Sequence, residues 1–285
     1  MQSNPKLKEP LSMSITDEQL REYGDRGLLF LPGYFSAAEV DIMKAELPHL
    51  FAATSLGKVM EDGGRDVRSV YGAQFTSKTF QRLTRHARIA EPIMKILDSQ
   101  VYVYQFKINA KAAFGGDIWE WHQDYIYWQK EDGMPSARAS NVIIFLDDVN
   151  EFNGPLFFIP GSHKEGVIET PVCDPGPEVS NENNPGWLSS RLKYALDRGT
   201  VAQRIATYGI IAPKGPAGSM LFTHPNIIHC SPSNMSPFDR VVAIITYNSV
   251  ENIPTQTNQR PEFLSSRDLT PVVPLPEDSW AKAAY

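Results

Sequence analysis

Apolar positions recur at helical intervals up to about residue 100 and fall into short β-like runs beyond it. Thr16-Asp17-Glu18-Gln19 reads as a capping box, opening a helix that runs to about Tyr23 and stops at Gly24. Gly27 to Leu31 is a short apolar strand ended by Pro32-Gly33. Ser36-Ala37-Ala38-Glu39 is a second capping box, leading a helix through Val40, Met43 and Leu47, with Pro48 in its last turns. The spacing then predicts a loop from Thr54 to Gly64, a strand from Asp66 to Tyr71 carrying Arg68, and a helix from Phe80 to Leu97 broken near Pro92.

From Val101 the pattern becomes strands: Val101 to Ala110, Asn141 to Leu146, Leu156 to Ile159, Gly218 to Phe222, Ile227 to Ser231 and Arg240 to Tyr247. Helices first and packed sheets after predict a mainly β fold with supporting helices. Its core is expected to be a double-stranded β-helix, the jelly-roll or cupin-like arrangement. One domain spans 1–285, with helical support over 1–100, the core over 101–250 and an extended tail over 251–285. Within the core, Lys164 to Gly209 holds Pro171, Pro175, Pro177, Asn181, Asn183 and Asn184. A stretch of that length reads as a lid, with helical turns at Leu192 to Asp197 and Val201 to Ile205.

Composition narrows the function by exclusion. A formal charge of −6 over 285 residues, with charges scattered, gives no footprint for nucleic acid or an anionic membrane. No apolar run nears the roughly 20 residues of a membrane span. Met1 to Pro10 is polar and lacks a signal-peptide core. Cys173 and Cys230 make no disulfide framework or zinc spacing, so a reducing, cytoplasmic setting is expected, with Cys230 a small buried hydrophobe.

The chemistry gathers in Trp119-Glu120-Trp121-His122-Gln123-Asp124-Tyr125-Ile126-Tyr127-Trp128. On an extended strand His122 and Asp124 share a face, roughly 6.5 Å apart, and can close on one metal ion. A second histidine would complete a two-His, one-carboxylate triad, the donor set of non-haem Fe(II) oxygenases. His224 and His229 compete for that place. His229 shares a strand face with Ser231, and a turn of Ser, Pro and Asn then leads to Arg240, so a hairpin would return Arg240 beside both. An arginine fork with a hydroxyl beside a metal is equipment for a carboxylate, which favours His229. His224, before Pro225, has no comparable partner. Without these neighbours, His122 and Asp124 read as a buried hydrogen-bonded pair.

His122-x-Asp124, His229-x-Ser231 and Arg240 resemble the iron and 2-oxoglutarate motif of the phytanoyl-CoA dioxygenase-like superfamily. Gln105 to Lys111, Trp121 to Trp128, Glu131-Asp132-Gly133-Met134 and Asn153-Gly154-Pro155-Leu156 resemble two of its groups, the ectoine hydroxylases and the bacterial free-L-proline trans-4-hydroxylases. Val103 to Lys111, Trp121 to Ile126 and Arg260 to Leu264 are nearer the proline group; ectoine hydroxylases typically carry arginine where Lys107 stands. The resemblance implies Fe(II) on His122, Asp124 and His229, and 2-oxoglutarate on Arg240, Ser231 and Asn109. It places Gln105, Trp128 and Arg260 in the substrate pocket, with Arg68 a second candidate cation. The implied reaction uses O2 and hydroxylates a free imino acid, L-proline or pipecolate, with ectoine as alternative; a non-catalytic jelly-roll binding module is the remaining reading.

Overall fold

The structure is a computed structural model that describes residues 14–61, 63–172, 180–181, 184–185, 192–256 and 260–276. Its N-terminal third supplies α1 (Asp17–Arg26), β1 (Leu28–Leu31), α2 (Ala37–Ala45), α3 (Leu47–Ala52), β2 (Lys58–Met60), β3 (Val67–Tyr71), α4 (Ala73–Thr76), α5 (Lys78–Leu83) and α6 (Ala87–Leu97). The middle supplies β4 (Val101–Lys111), β5 (Trp119–His122), α7 (Tyr125–Asp132), β6 (Ala139–Phe145), β7 (Phe157–Phe158) and the small pair β8 (Ser180–Asn181) and β9 (Asn184–Pro185). α8 (Arg198–Tyr208), β10 (Met220–Thr223), β11 (His229–Ser231) and β12 (Arg240–Ser249) complete it.

Both capping boxes form, with each N-cap hydroxyl on the N3 amide and each N3 side chain on the N-cap amide. Four boundaries differ from the sequence pattern. α1 runs through Gly24 and ends where Gly27 takes the left-handed conformation (φ 75°). Pro48 lies in the first turn of α3 rather than closing α2, since a first-turn residue has no intrahelical partner for its amide hydrogen. The expected loop at 54–64 contains β2, an edge strand on β3. The helical break falls before α6, where the His86 ring caps the Arg88 amide, and Pro92 lies inside the helix. The Arg88 carbonyl, which Pro92 cannot reach with a hydrogen bond, accepts from the Tyr34 hydroxyl at 3.3 Å instead.

The strands form an open seven-stranded sheet, β1-β10-β6-β12-β4-β3-β2, and a three-stranded sheet, β5-β11-β7, both antiparallel. Sheet and helix content is mixed rather than mainly β. Alternation along β12 divides the molecule. Val241, Ala243, Ile245 and Tyr247 join Phe106, Ile108, Val142 and Ile144 in a core covered by Met43, Phe80, Leu83, Ile89 and Ile93 of the helices. On the other face, Val242 and Ile244 join Ile143, Phe145, Leu221, Phe158 and Ile227, a cluster shared with the small sheet. Fully burying such a side chain contributes about 1.5–3 kcal/mol, so each face fixes strand register. All ten residues of β12 are buried.

That register sets polar rows on the inner face. Asn141, Thr246 and Gln105 lie across β6, β12 and β4; Lys107 is opposite Ile244, Asn109 opposite Val242, and Lys111 opposite Arg240. Part of the expected lid, 173–179, 182–183 and 186–191, lies outside the described residues, with Cys173, Pro175, Pro177 and Asn183. Of the helical turns expected beside it, Val201 to Ile205 falls within α8, whereas Leu192 to Asp197 is not helical. Among the described residues no helix is long and apolar enough to cross a membrane.

Candidate active site

The two histidines meet by strand pairing. His122 ends β5, His229 opens β11, and the antiparallel register sets them directly opposite, with ring centroids 4.2 Å apart. Asp124 arrives differently from the expectation of one shared strand. The chain turns after His122, and Asp124 takes helical dihedrals (φ −71°, ψ −38°) at the head of α7. Gln123, 2% exposed, fixes this junction by donating to the Gly166 and Asn226 carbonyls and accepting from the Ile168 amide. The Tyr125 amide donates to the Pro225 carbonyl at 3.0 Å.

One donor atom from each of His122, Asp124 and His229 lies within 4.8 Å of the others. Nε2 of His122 is 3.7 Å from Asp124 Oδ1, and Nε2 of His229 is 3.9 Å from Oδ2. Each imidazole directs Nδ1 to a main-chain carbonyl, His122 to Glu120 at 2.6 Å and His229 to Ile227 at 3.0 Å. Nδ1 is thus the donor, and the Nε2 lone pairs are left for a cation. Asp124 Oδ2 accepts from Asn141 Nδ2 at 2.7 Å, and Asn141 Oδ1 accepts from the Thr246 hydroxyl at 2.7 Å. Burial opposes a charge on Asp124, but Lys107, His229 and His122 outweigh it and hold the carboxyl well below the usual range. Burial, then His122, pulls His229 down to about 4, so it is neutral at neutral pH. An ionised carboxylate and two imidazoles that present Nε2 fit a divalent cation.

Two cavities meet here, and Lys107, Trp119, His122 and Asp124 line both. One runs past Asn109, Asn141, Thr223 and His229 to Arg240. Arg240 is 2% exposed and donates through Nη2 to the Ser231 hydroxyl (2.9 Å) and the Gly154 carbonyl (2.5 Å). The Ser231 hydroxyl donates to the same carbonyl at 2.9 Å. Gly154 can be only glycine: its φ is +71°, and a Cβ would lie 2.7 Å from the Pro232 carbonyl oxygen. Burial lowers Arg240 to about 10, which keeps it charged at neutral pH, and its Nε is buried without a partner. A buried guanidinium with an unsatisfied donor is built for an anion. Lys111 beside it is pushed down to about 7 by burial, then by Arg240 and Arg68. Arg240 does not reach Ser231 through a hairpin ladder. β11 and β12 belong to different sheets, and the contact spans the space between them.

The other cavity has aromatic walls, Tyr71, Trp119, Tyr127 and Trp128, with Gln105, Lys107, Leu192, Arg260 and Leu264. Gln105 donates to the Leu264 carbonyl (2.9 Å), tying the tail to β4. Arg260 lies in a buried bidentate pair with Asp132, Nε to Oδ1 at 2.8 Å and Nη2 to Oδ2 at 2.7 Å. Arg68 lines neither cavity: it pairs with Glu61 at 2.9 Å and stacks over Trp119, 3.8 Å from the ring centroid. Asn109 lines the Arg240 cavity and accepts from the Ser69 hydroxyl. His224 stands apart, its ring near His163 and its Nδ1 accepting from the Asn226 amide.

Lys107, Trp119, Tyr127 and Asn141 line the site but were not singled out by role in the sequence. Lys107 had a signal, as a cation alternating with Gln105 and Asn109 on one strand face. Among the described residues Lys107 makes no hydrogen bond or ion pair, so its charge acts through space on Asp124 and His229.

A facial donor set with an anion-ready guanidinium in an adjoining cavity defines the non-haem iron dioxygenases that use 2-oxoglutarate and O2, and this chain is one. The model of the phytanoyl-CoA dioxygenase (PhyH) family matches residues 23–242, and the chain belongs to that family. It is 38% identical over 271 residues to an L-proline trans-4-hydroxylase from Streptomyces griseoviridis, covering 94% of this chain and 98% of that protein. It is 33% identical over 266 residues to an ectoine dioxygenase from Bordetella bronchiseptica, covering 89% and 83%. The crystal structure of EctD from S. alaskensis with 2-oxoglutarate and 5-hydroxyectoine superposes with a TM-score of 0.77 at 28% identity, over 92% of this chain and 87% of that one.

Proposed function

We propose that this dioxygenase hydroxylates a small, cyclic, zwitterionic amino acid or amino-acid derivative, within a class that includes both ectoine and L-proline. The observation that carries it is the aromatic cavity, with Trp119, Tyr127 and Trp128 for an apolar ring and Gln105 and Arg260 for polar ends. Ectoine dioxygenases recur among the relatives, and the EctD fold covers most of the chain, so the wider class has more support than proline alone. The 38% relative and the lysine at position 107 favour L-proline within it. We read the two sheets as the halves of a jelly roll, with the site between them.

His122, Asp124 and His229 would hold Fe(II), and Arg240 with Ser231 would receive the distal carboxylate of 2-oxoglutarate. When bound, iron with 2-oxoglutarate and O2 supplies an oxidative decarboxylation that gives succinate and CO2 and places one oxygen atom on the substrate. The protein's part is placement. Arg240 and Asn109 mark the cosubstrate's cavity, Trp128 and Gln105 the substrate's, and Lys107 stands where the two join. The aromatic walls exclude water from a site where it would divert the reaction. Incubation with Fe(II), 2-oxoglutarate and a panel of L-proline, pipecolate and ectoine, read by mass spectrometry, tests the class. A product 16 mass units heavier, with matched succinate, is expected from at least one; succinate without any hydroxylated panel member would refute it.

A further inference from the structure

Trp119 is the one described residue that lines both cavities without being an iron ligand or carrying a charge. It opens β5 after a stretch, 112–118, with no helix or strand, and its pairing with Ser231 follows a break in the register of the ladder. Strand pairing alone therefore holds this end of β5 weakly.

Two buried cations hold it instead. From β4, Lys111 donates to the Asp117 carbonyl at 2.5 Å; from β3, Arg68 donates through Nη2 to the Ile118 carbonyl at 3.0 Å. The Arg68 guanidinium also covers the Trp119 ring, its central carbon 3.8 Å from the centroid, and Nη1 pairs with Glu61 at 2.9 Å. Arg68 is fully buried, although Ile118, whose carbonyl it holds, is 53% exposed. β3 and β4 belong to the large sheet and β5 to the small one, so these contacts cross from one sheet to the other. Burying a guanidinium costs more than an apolar tie between edge strands would. Its planar face supplies what an apolar side chain cannot, a desolvated cation–π contact that fixes the plane of the indole as well as its position. We infer that Arg68 is a positioning residue for the cosubstrate, acting through Trp119: it holds the indole as the wall common to both cavities, so that 2-oxoglutarate meets a space of fixed shape on its way to Arg240. That role is independent of which small molecule is hydroxylated.

Anaerobic isothermal titration of 2-oxoglutarate into the Fe(II)-loaded enzyme tests it, in a double-mutant cycle of Arg68→Met and Trp119→Leu. Arg68→Met should raise the Kd about tenfold, somewhat less than a desolvated cation–π contact can supply. In the Trp119→Leu background the same change should move the Kd by less than about twofold. Loss of the partner of Glu61 is common to both arms and cancels. Tryptophan NMR of the nitrogen-labelled, metal-free protein gives a second readout. The Trp119 indole signal, identified by its absence from Trp119→Leu, should broaden or split in Arg68→Met as the ring samples more than one orientation. If Arg68→Met does not fold, Arg68→Lys takes its place in the cycle, since it keeps a charge for Glu61 and loses the planar face. A wild-type Kd in the Arg68 variant, or a Trp119 signal that stays single and sharp, overturns the inference. So does a cycle whose two arms add, which would leave Arg68 and Glu61 as a tie between edge strands.

Discussion

Asn141 lines the cavity that leads to Arg240, and it should also control how tightly the site holds iron. Its amide donates to Asp124 Oδ2 at 2.7 Å, and the Thr246 hydroxyl, opposite it on β12, orients that amide through a second bond of 2.7 Å. Asn141→Ala leaves a buried carboxylate one donor short. A hydrogen bond to a charged group contributes about 1.5–3 kcal/mol, and loss of such an outer partner typically lowers metal affinity about 10–100-fold. The two ranges agree, since each factor of ten corresponds to about 1.4 kcal/mol. Thr246→Val removes only the orienting bond between neutral groups, contributing about 0.5–1.5 kcal/mol, so its effect should be smaller. Asn141→Asp sets a like charge beside Asp124, raises its pKa and should also weaken binding. Anaerobic Fe(II) titration at neutral pH, with melting curves of the metal-free proteins as a check on folding, measures all three. Wild-type iron affinity in a folded Asn141→Ala would refute the reasoning.

Two further outcomes follow from burial. Arg240→Lys keeps a charge beside Ser231 but loses the planar fork, so the Kd for 2-oxoglutarate should rise about tenfold or more. Fe(II) binding without cosubstrate should be unaffected; isothermal titration under anaerobic conditions checks both. His86 and His224 are pulled from 6.5 to about 4, each chiefly by burial and further by Arg88 and His163 respectively. Between those values the unfolded chain binds more protons than the folded one. Their contribution to stability is therefore full above pH 6.5 and lost as pH falls toward about 4. Thermal melts from about pH 7 to about pH 4.5 should show a falling midpoint, and a flat profile would contradict the burial argument.

What was legible in the sequence was mostly local. Both capping boxes need only a few consecutive residues, and the structure carries them. The path from Ser231 to Arg240 is not legible, because a turn rich in Ser, Pro and Asn looks the same whether it closes a ladder or carries the chain from one sheet to the other. His122 and Asp124 were placed on one strand because an unbroken aromatic run has no period that separates strand from helix. Bonds to distant residues hold the turn between them, among them those of Gln123 to Gly166 and Asn226, 43 and 103 residues away. The sequence leaves Arg260 either a grip for a substrate carboxylate or a salt-bridge partner, because Asp132, which it pairs with, lies 128 residues upstream. Pro92 reads as a breaker in the sequence because its remedy, the Tyr34 hydroxyl, is distant along the chain.

The account stands on three side chains closing on one iron, and equilibrium dialysis of Fe(II) against the wild type, His122→Ala, Asp124→Ala and His229→Ala measures that directly. One iron per chain is expected in the wild type, with tight binding lost in each folded variant and His224→Ala retaining it. A His229→Ala protein that still holds one iron as tightly as the wild type would contradict the account.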